Sequence, residues 1–178
     1  MSDLPTLFAR VRARAERESG DLRPCVGEQD VARAESLLGF PLPPVLAGLY
    51  RHVADGGFGP EYFLLPLVGE EGTVVSTYRA LRAEAGTWPH GMVPVLDWGC
   101  GMYAAVDCLR EGAPVLLFEP NAVGDDWADA WFEDAPSLRG WLLSWLDGTG
   151  WWEEEVMAAG GVELTRWPGA GARLAARA

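Results

Sequence analysis

The chain has 178 residues, of which 49% are hydrophobic and 22% charged. These values are ordinary for one globular domain and argue against global disorder. The net charge is −12, and all 14 basic residues are Arg, so we expect no binding to a nucleic-acid backbone or to an anionic membrane surface, both of which attract basic patches. The same charge permits a basic protein partner.

The cysteine and histidine residues give no sign of a disulfide framework or a metal site. Cys25, Cys100 and Cys108 are an odd set without a CxxC pair, and His52 and His90 are scattered, whereas structural zinc needs clustered ligand pairs. We therefore predict no metal and no cofactor. The N-terminus lacks the apolar core of a signal peptide, and no run of about 18 apolar residues occurs. These features predict a cytoplasmic protein.

Apolar residues at helical spacing, together with capping and stop residues, predict five helices. They are a helix that begins near Leu4 and ends at Gly20, one over 28–38 that Gly39 and Pro41 end, one that begins at Pro43–Pro44 and ends at Gly56–Gly57, one capped by Thr73, and one capped by Asp134 with Pro136 in its first turn. The last of these carries a stripe made by Leu138, Trp141, Leu142, Trp145 and Leu146.

Short apolar runs between turns predict strands. The segment Tyr62–Leu67 is typical of a short buried strand, and 92–97, 101–108 and 114–119 follow one another as a β-meander. The connection Leu109–Ala113 contains Gly112 and is short enough for an antiparallel hairpin. Helices first, strands next and a helix last predict an α+β fold with a central antiparallel or mixed sheet flanked by helices.

The domain organisation follows from these elements. We predict an N-terminal helix within residues 1–24, one domain over 25–150 and a C-terminal extension over 151–178. The extension begins with Trp-rich sequence that could continue helically. Its last part is rich in Gly, Ala and Arg, so we expect it to be loosely attached.

Carboxylates and aromatic residues are concentrated between the last strands and the last helix. The candidate partner-binding residues are Glu119, Asp125, Asp126, Trp127, Asp129 and Trp131. Aromatic residues among charges are typical of binding hot spots. Three interpretations stay open for the carboxylates: a solvated surface loop, a loop that docks a partner, and a catalytic acid–base pair. The rings could instead be core residues of a strand.

Cys100 lies between Gly99 and Gly101, which raises the possibility of a nucleophile on a tight turn. A cysteine nucleophile needs a base, usually His, and neither histidine has a recognisable spacing to it. The alternative is a small buried thiol in a turn that its glycines permit. Asp107 ends an apolar strand and is expected to cap the following turn, with Trp98 packed beside it.

Three groups of residues, taken in order, resemble the SMI1/KNR4 (SUKH) family. They are Leu38-Gly39-Phe40-Pro41-Leu42-Pro43-Pro44 with Leu49-Tyr50 and Asp55-Gly56-Gly57; Val93-Pro94-Val95-Leu96-Asp97, Trp98-Gly99-Cys100-Gly101 and Asp107, followed by Ala113-Pro114-Val115-Leu116-Leu117; and Ser137-Leu138, Trp141-Leu142 and Trp145-Leu146. The resemblance covers roughly residues 25–148, and the first group has Asp55 where the family usually has Asn. The positions that carry the structural motif are Gly56, Gly57, Trp98, Gly99, Gly101 and Asp107.

The resemblance implies a sheet flanked by helices and a protein-binding role without catalysis. Many bacterial members are taken to be cytoplasmic immunity proteins that neutralise protein toxins, and fungal relatives act as adaptors in cell-wall regulation. The expected partner is therefore a protein, in the first place a toxin with a basic surface. The alternatives are a regulatory adaptor like the fungal relatives and a hydrolase that uses Cys100 or the acidic loop.

Overall fold

The computed structural model describes residues 3–84 and 86–176, so residues 1–2 and 177–178 of the two predicted terminal segments lie outside the described part. The α-helices of the described residues are α1 (Leu4–Ser19), α2 (Glu28–Leu38), α3 (Pro44–His52), α4 (Val74–Ala83), α5 (Leu138–Asp147), α6 (Glu154–Ala158) and α7 (Ala170–Ala175). The strands are β1 (Met92–Gly99), β2 (Met102–Asp107), β3 (Val115–Phe118), β4 (Trp131–Ala135) and β5 (Thr165–Arg166), and two short 3₁₀ helices are Pro120–Ala122 and Trp127–Ala130.

The five strands form one open antiparallel sheet in the order β1-β2-β3-β4-β5. The connections among β1, β2, β3 and β4 are short, whereas α5 and α6 lie between β4 and β5. The central register pairs Ala105 with Leu116. The α+β prediction is confirmed, and the alternative of a mixed sheet is not realised. The three strands predicted over 92–119 are consecutive neighbours, as expected.

Both faces of the middle of the sheet are covered. Every residue of β3 is buried, which an antiparallel strand achieves only when neither face is open to solvent. Helix α4 packs on β1 and α5 packs on β4, while α1 packs against α3 and α5. The stripe on α5 faces inward, since Leu138, Trp141, Leu142 and Trp145 are buried.

The helix boundaries follow the predicted capping residues in most cases. Thr73 accepts a hydrogen bond from the backbone N–H of Ser76 at the start of α4. Gly39 ends α2 with a φ of 87°, the left-handed conformation that glycine adopts without strain. Helix α3, by contrast, ends at His52, four residues before the predicted stop at Gly56.

The strand predicted over Tyr62–Leu67 is not formed. Leu64 makes an isolated bridge to Leu96, and the N–H of Leu65 donates to the carbonyl oxygen of Val95 over 2.9 Å. Phe63 has a φ of 60°, which leaves the extended region. The apolar run therefore has backbone contact with β1 only at Leu64 and Leu65 among the described residues, and the side chains of Tyr62 and Phe63 are exposed.

The predicted cap of α5 is wrong by three residues. Ser137 caps the helix by accepting a hydrogen bond from the N–H of Gly140 over 3.0 Å. Asp134 belongs to β4, where its carboxylate accepts a hydrogen bond from the indole N–H of Trp141 over 3.0 Å. Asp and Ser both favour the N-cap position. Because residues 131–135 pair as β4, Asp134 belongs to the strand and Ser137 takes the cap.

The C-terminal extension is packed on the domain, contrary to the expectation of a loose tail. Trp167 and Ala170 are buried, and the N–H of Trp167 donates to the carbonyl oxygen of Trp131 over 2.8 Å. The side chain of Arg173 reaches Asp107 and the carbonyl oxygen of His90. The described tail therefore belongs to the same packed body as the sheet.

Candidate functional site

The β1–β2 turn and the β3–β4 connection lie at the same end of the sheet, because the strands between them run antiparallel. The amide of Asn121 donates to the carbonyl oxygen of Cys100 over 3.4 Å and joins the two connections. Pro120 lies against Gly101, where a β-carbon would approach the Pro120 ring to 3.2 Å. We call residues 119–129 of the β3–β4 connection the acidic segment.

The carboxylates of the acidic segment have different local partners. Glu119 accepts hydrogen bonds from the backbone N–H and the amide of Asn121, over 2.8 and 2.7 Å. Asp126 caps the second 3₁₀ helix by accepting from the N–H of Ala128 over 2.9 Å. Asp129 forms an ion pair with Arg166. Asp125 is exposed and has no such partner among the described residues.

The two tryptophans of this region have opposite environments. Trp131 starts β4 and is completely buried, so the interpretation of this ring as a strand core residue is the one that the structure shows. Trp127 is 40% exposed, and its ring stacks on Phe118 with centroids 6.3 Å apart. Of the two candidate anchors, only Trp127 is accessible to a partner.

The β1–β2 turn has three consecutive residues in the left-handed region. Gly99, Cys100 and Gly101 have φ angles of 81°, 52° and 80°, so the glycines permit the turn as expected. Cys100 itself is exposed at the tip, and the expectation of a buried thiol is wrong.

The histidines lie elsewhere in the described structure. His52 stacks on Phe8, with ring centroids 5.5 Å apart, and Nδ1 of His90 lies 3.3 Å from the hydroxyl of Tyr78. Burial, and then the charges of Arg82 and Arg173, lower the pKa of His90. Within the described residues no histidine contacts Cys100, so the geometry brings together no cysteine–histidine pair.

Asp107 is completely buried at the end of β2 and accepts a hydrogen bond from the N–H of Leu109 over 3.2 Å, as predicted for a turn cap. Trp98 does not pack beside it. Met92, not Trp98, is opposite Asp107 in the β1–β2 register, and the indole of Trp98 packs against Trp151 with centroids 5.1 Å apart. The expected Trp98–Asp107 contact is therefore wrong.

The Gly56–Gly57 turn packs closely against the segment around Leu64, which forms the isolated bridge to β1. Gly56 and Gly57 have φ angles of 67° and 71°. A β-carbon on Gly56 would lie 2.6 Å from the carbonyl oxygen of Leu64. The carboxylate of Asp55 accepts from the N–H of Leu67 over 2.7 Å. These glycines and Asp55 thus position the loop 60–63.

The sequence did not predict a second cluster of acidic and aromatic residues. A pocket of about 490 Å³ lies between α1, the loop 60–63 and α6. The exposed aromatic residue that lines it, Phe63, lies in the segment for which the sequence predicts a buried strand. The residues that line the pocket are Arg14, Glu18, Gly59, Pro60, Glu61, Phe63, Trp145, Trp152, Glu153, Glu154 and Met157. Gly59 and Pro60 favour a turn. This preference is the sequence feature from which the position of the following aromatic residues outside the sheet could have been predicted.

No cluster of three or more His, Cys, Asp or Glu side chains that could hold a metal ion occurs in residues 3–84 and 86–176. None of the helices in this same part is long and apolar enough to cross a membrane.

The model of the SMI1 / KNR4 family (SUKH-1) matches residues 25–144, which is more than half of the chain. The chain belongs to this family. The SUKH match includes the Gly56–Gly57 turn, the β1–β2 turn, the acidic segment and most of α5. Helix α1 and the C-terminal extension lie outside it, although both pack on the matched part. No curated protein matches the chain significantly.

Proposed function

We propose that this SUKH protein is a cytoplasmic immunity protein that binds and neutralises a protein toxin with a basic surface. The observation that carries the proposal is the acidic segment, where Asp125 is exposed without a partner among the described residues and Trp127, two positions later, has an exposed ring. A charged rim around an accessible aromatic ring is the usual composition of a protein-binding hot spot.

The distribution of charge supports a basic partner. Between residues 83 and 165 the only basic side chains besides His90 are Arg110 and Arg139, and neither lies in the acidic segment. A field of one sign accelerates the encounter with a cationic surface, whereas neutral salt screens it within about 8–10 Å. Of the segment's aspartates, Asp126 and Asp129 are engaged locally, so Asp125 is the carboxylate that can pair with a partner at the lowest structural cost.

The proposed mechanism is occlusion by binding, without turnover. Cys100 is exposed but has no histidine neighbour in the described structure. We therefore expect Cys100→Ser to leave protection unchanged. Rapid stoichiometric labelling of Cys100 with loss of protection would contradict a pure binding role, because it would indicate an activated thiolate.

The test uses the gene neighbourhood of the chain. Each secreted protein encoded beside the chain is a candidate toxin; it is produced in a sensitive cell with or without the full-length chain, and survival is measured. We expect protection by the native chain and its loss in Asp125→Arg/Trp127→Ala. Glu71→Arg is the control, since Glu71 is exposed outside the site and its reversal changes net charge equally. Absence of protection by the native chain overturns the proposal.

A further inference from the structure

The pocket between α1, the loop 60–63 and α6 has the chemistry of an arginine site. Four carboxylates and one guanidinium line it, and the other walls are aromatic rings and apolar side chains. Phe63 and Met157 are large hydrophobic side chains that are 40% and 53% exposed. An accessible ring beside carboxylates fits a guanidinium, which stacks on the ring and donates paired hydrogen bonds to the acids.

The pocket already holds one guanidinium of the chain itself. Arg14 lies over the ring of Trp145, 4.8 Å from its centroid, and its Nε donates to Glu18 over 2.6 Å. The same guanidinium also donates to the carbonyl oxygen of Trp145. The pocket therefore binds Arg14 by stacking on Trp145 and by a hydrogen bond to the carboxylate of Glu18.

The loop 60–63 and the start of α6 supply the same groups without a cation. Glu61, Glu153 and Glu154 line the pocket with Phe63, and in the described residues none of the three carboxylates has a hydrogen-bond or ion-pair partner. Trp152, which also lines the pocket, is 6% exposed, and its indole N–H has no hydrogen-bond partner in the described structure. This donor suits a backbone carbonyl of the bound segment, because a guanidinium has no acceptor. Arg14 balances Glu18, so three negative charges are left for a ligand.

We propose that this pocket receives an arginine side chain of the partner protein, with Phe63 as the stacking face and Glu61 and Glu154 as the acceptors. A volume of about 490 Å³ accommodates one such side chain with its flanking backbone. The inference deepens the proposed function, because it names the side chain that the partner presents. It also extends the binding surface beyond the acidic segment: Tyr62, next to Phe63, packs against Trp98 of β1 with centroids 6.0 Å apart.

The test is a titration of the full-length chain with the peptide acetyl-Gly-Gly-Arg-Gly-Gly-amide, followed by ¹H–¹⁵N NMR. We expect chemical-shift changes at the backbone of Phe63 and at the indole N–H signals of Trp145 and Trp152, with millimolar affinity. Peptides with citrulline or lysine in place of arginine are the controls. Citrulline lacks the charge, and lysine lacks the planar face that stacks. Equal binding of either control peptide overturns the proposal.

Variants locate the site. Glu61→Gln/Glu154→Gln removes two exposed carboxylates, and we expect binding about fivefold weaker, as two exposed ion pairs predict. Phe63→Ala should weaken arginine binding and reduce its preference over lysine. The matched control Glu70→Gln/Glu71→Gln removes the same charge from exposed positions outside the pocket and should bind like the native chain.

The outcomes separate this inference from the proposed function. Shifts confined to residues 119–129, or unchanged affinity in Glu61→Gln/Glu154→Gln, overturn the arginine pocket and leave the acidic segment as the candidate interface. Arginine binding at the pocket together with no protection against the neighbouring toxin upholds the pocket and overturns the immunity role.

Discussion

Arg173 donates two hydrogen bonds to the carboxylate of Asp107, over 2.7 and 3.2 Å, and so ties the last helix to the end of β2. Asp107 is completely buried, and Arg173 is 24% exposed. The same guanidinium donates to the carbonyl oxygen of His90 over 2.8 Å. A buried carboxylate is tolerated only when it is paired and hydrogen-bonded, so a tail residue outside the SUKH match neutralises a motif position inside it.

Replacement of Arg173 by Met keeps the aliphatic stem but leaves Asp107 buried without its counter-charge. We expect the free energy of unfolding to fall by about 3 kcal/mol, measured by urea denaturation. The control is Arg166→Met, which breaks the exposed pair with Asp129 and should cost less than about 1 kcal/mol. Equal losses in the two variants would mean that the Asp107 pair is as weak as a surface pair.

The Gly56–Gly57 turn supplies a matched pair of substitutions. Both residues have positive φ angles, so Ala at either position costs roughly 1–2 kcal/mol of backbone strain. Only at Gly56 would the new β-carbon meet backbone atoms, 2.6 Å from the carbonyl oxygen of Leu64. We therefore expect Gly56→Ala to lose about 1–3 kcal/mol more than Gly57→Ala, as measured by thermal or urea unfolding. A Gly56→Ala variant as stable as Gly57→Ala would show that the turn shifts freely.

Much of the fold could be predicted because its elements are set by local chemistry. Caps such as Thr73 and Gly39 act within a few residues, and the α5 stripe shows its 3.6-residue period directly. The strand order of 92–119 followed from the short connections. Local patterns of this kind need no knowledge of the rest of the chain.

The features that the sequence left open or predicted wrongly depend mainly on contacts between distant segments. Trp131 and Trp127 have similar sequence surroundings, yet strand pairing buries the first and leaves the second accessible. Arg173 meets Asp107 across 66 residues of sequence, and no local pattern in the Gly/Ala/Arg-rich tail indicates a buried partner. Phe63 lies outside the sheet because its φ is positive, which an apolar run does not reveal.

Asp134 gives the stability of the protein a dependence on pH. Burial raises the pKa of Asp134 to about 6, although the hydrogen bond from the indole N–H of Trp141 favours the charged form. In the unfolded chain the pKa of this carboxyl is near 3.8. Between about pH 4 and pH 6 the native state therefore binds more protons than the unfolded state. This contribution lowers stability as the pH rises through that window, and it is constant above it.

Asp134→Asn should remove this contribution, because the amide carries no charge and its oxygen can still accept from Trp141. The difference in pKa corresponds to about 3 kcal/mol. Because the side chain keeps some contact with solvent, we expect a gain of about 1–2 kcal/mol at pH 7.5 and little change at pH 4. Urea denaturation at both pH values measures it, with the exposed neighbour Glu133→Gln as the control. A gain of equal size at pH 4 and pH 7.5 would exclude titration of Asp134 as the cause.

The last prediction concerns the rate at which the partner associates. Asp125 is exposed and unpaired in the described structure, so Asp125→Arg reverses one charge of the acidic segment without breaking a local contact. Reversal of Asp126 or Asp129 would also break a helix cap or the pair with Arg166. If the segment steers a basic toxin, stopped-flow mixing at low salt should give an association rate constant roughly 2–10-fold lower for Asp125→Arg. The rate should also depend less steeply on salt, because fewer opposite charges attract the two proteins as they approach.

Glu71→Arg makes the same change in net charge outside the segment and should alter the rate far less. If both variants slow association equally, net charge alone attracts the partner. If neither does, the interface lies on another face.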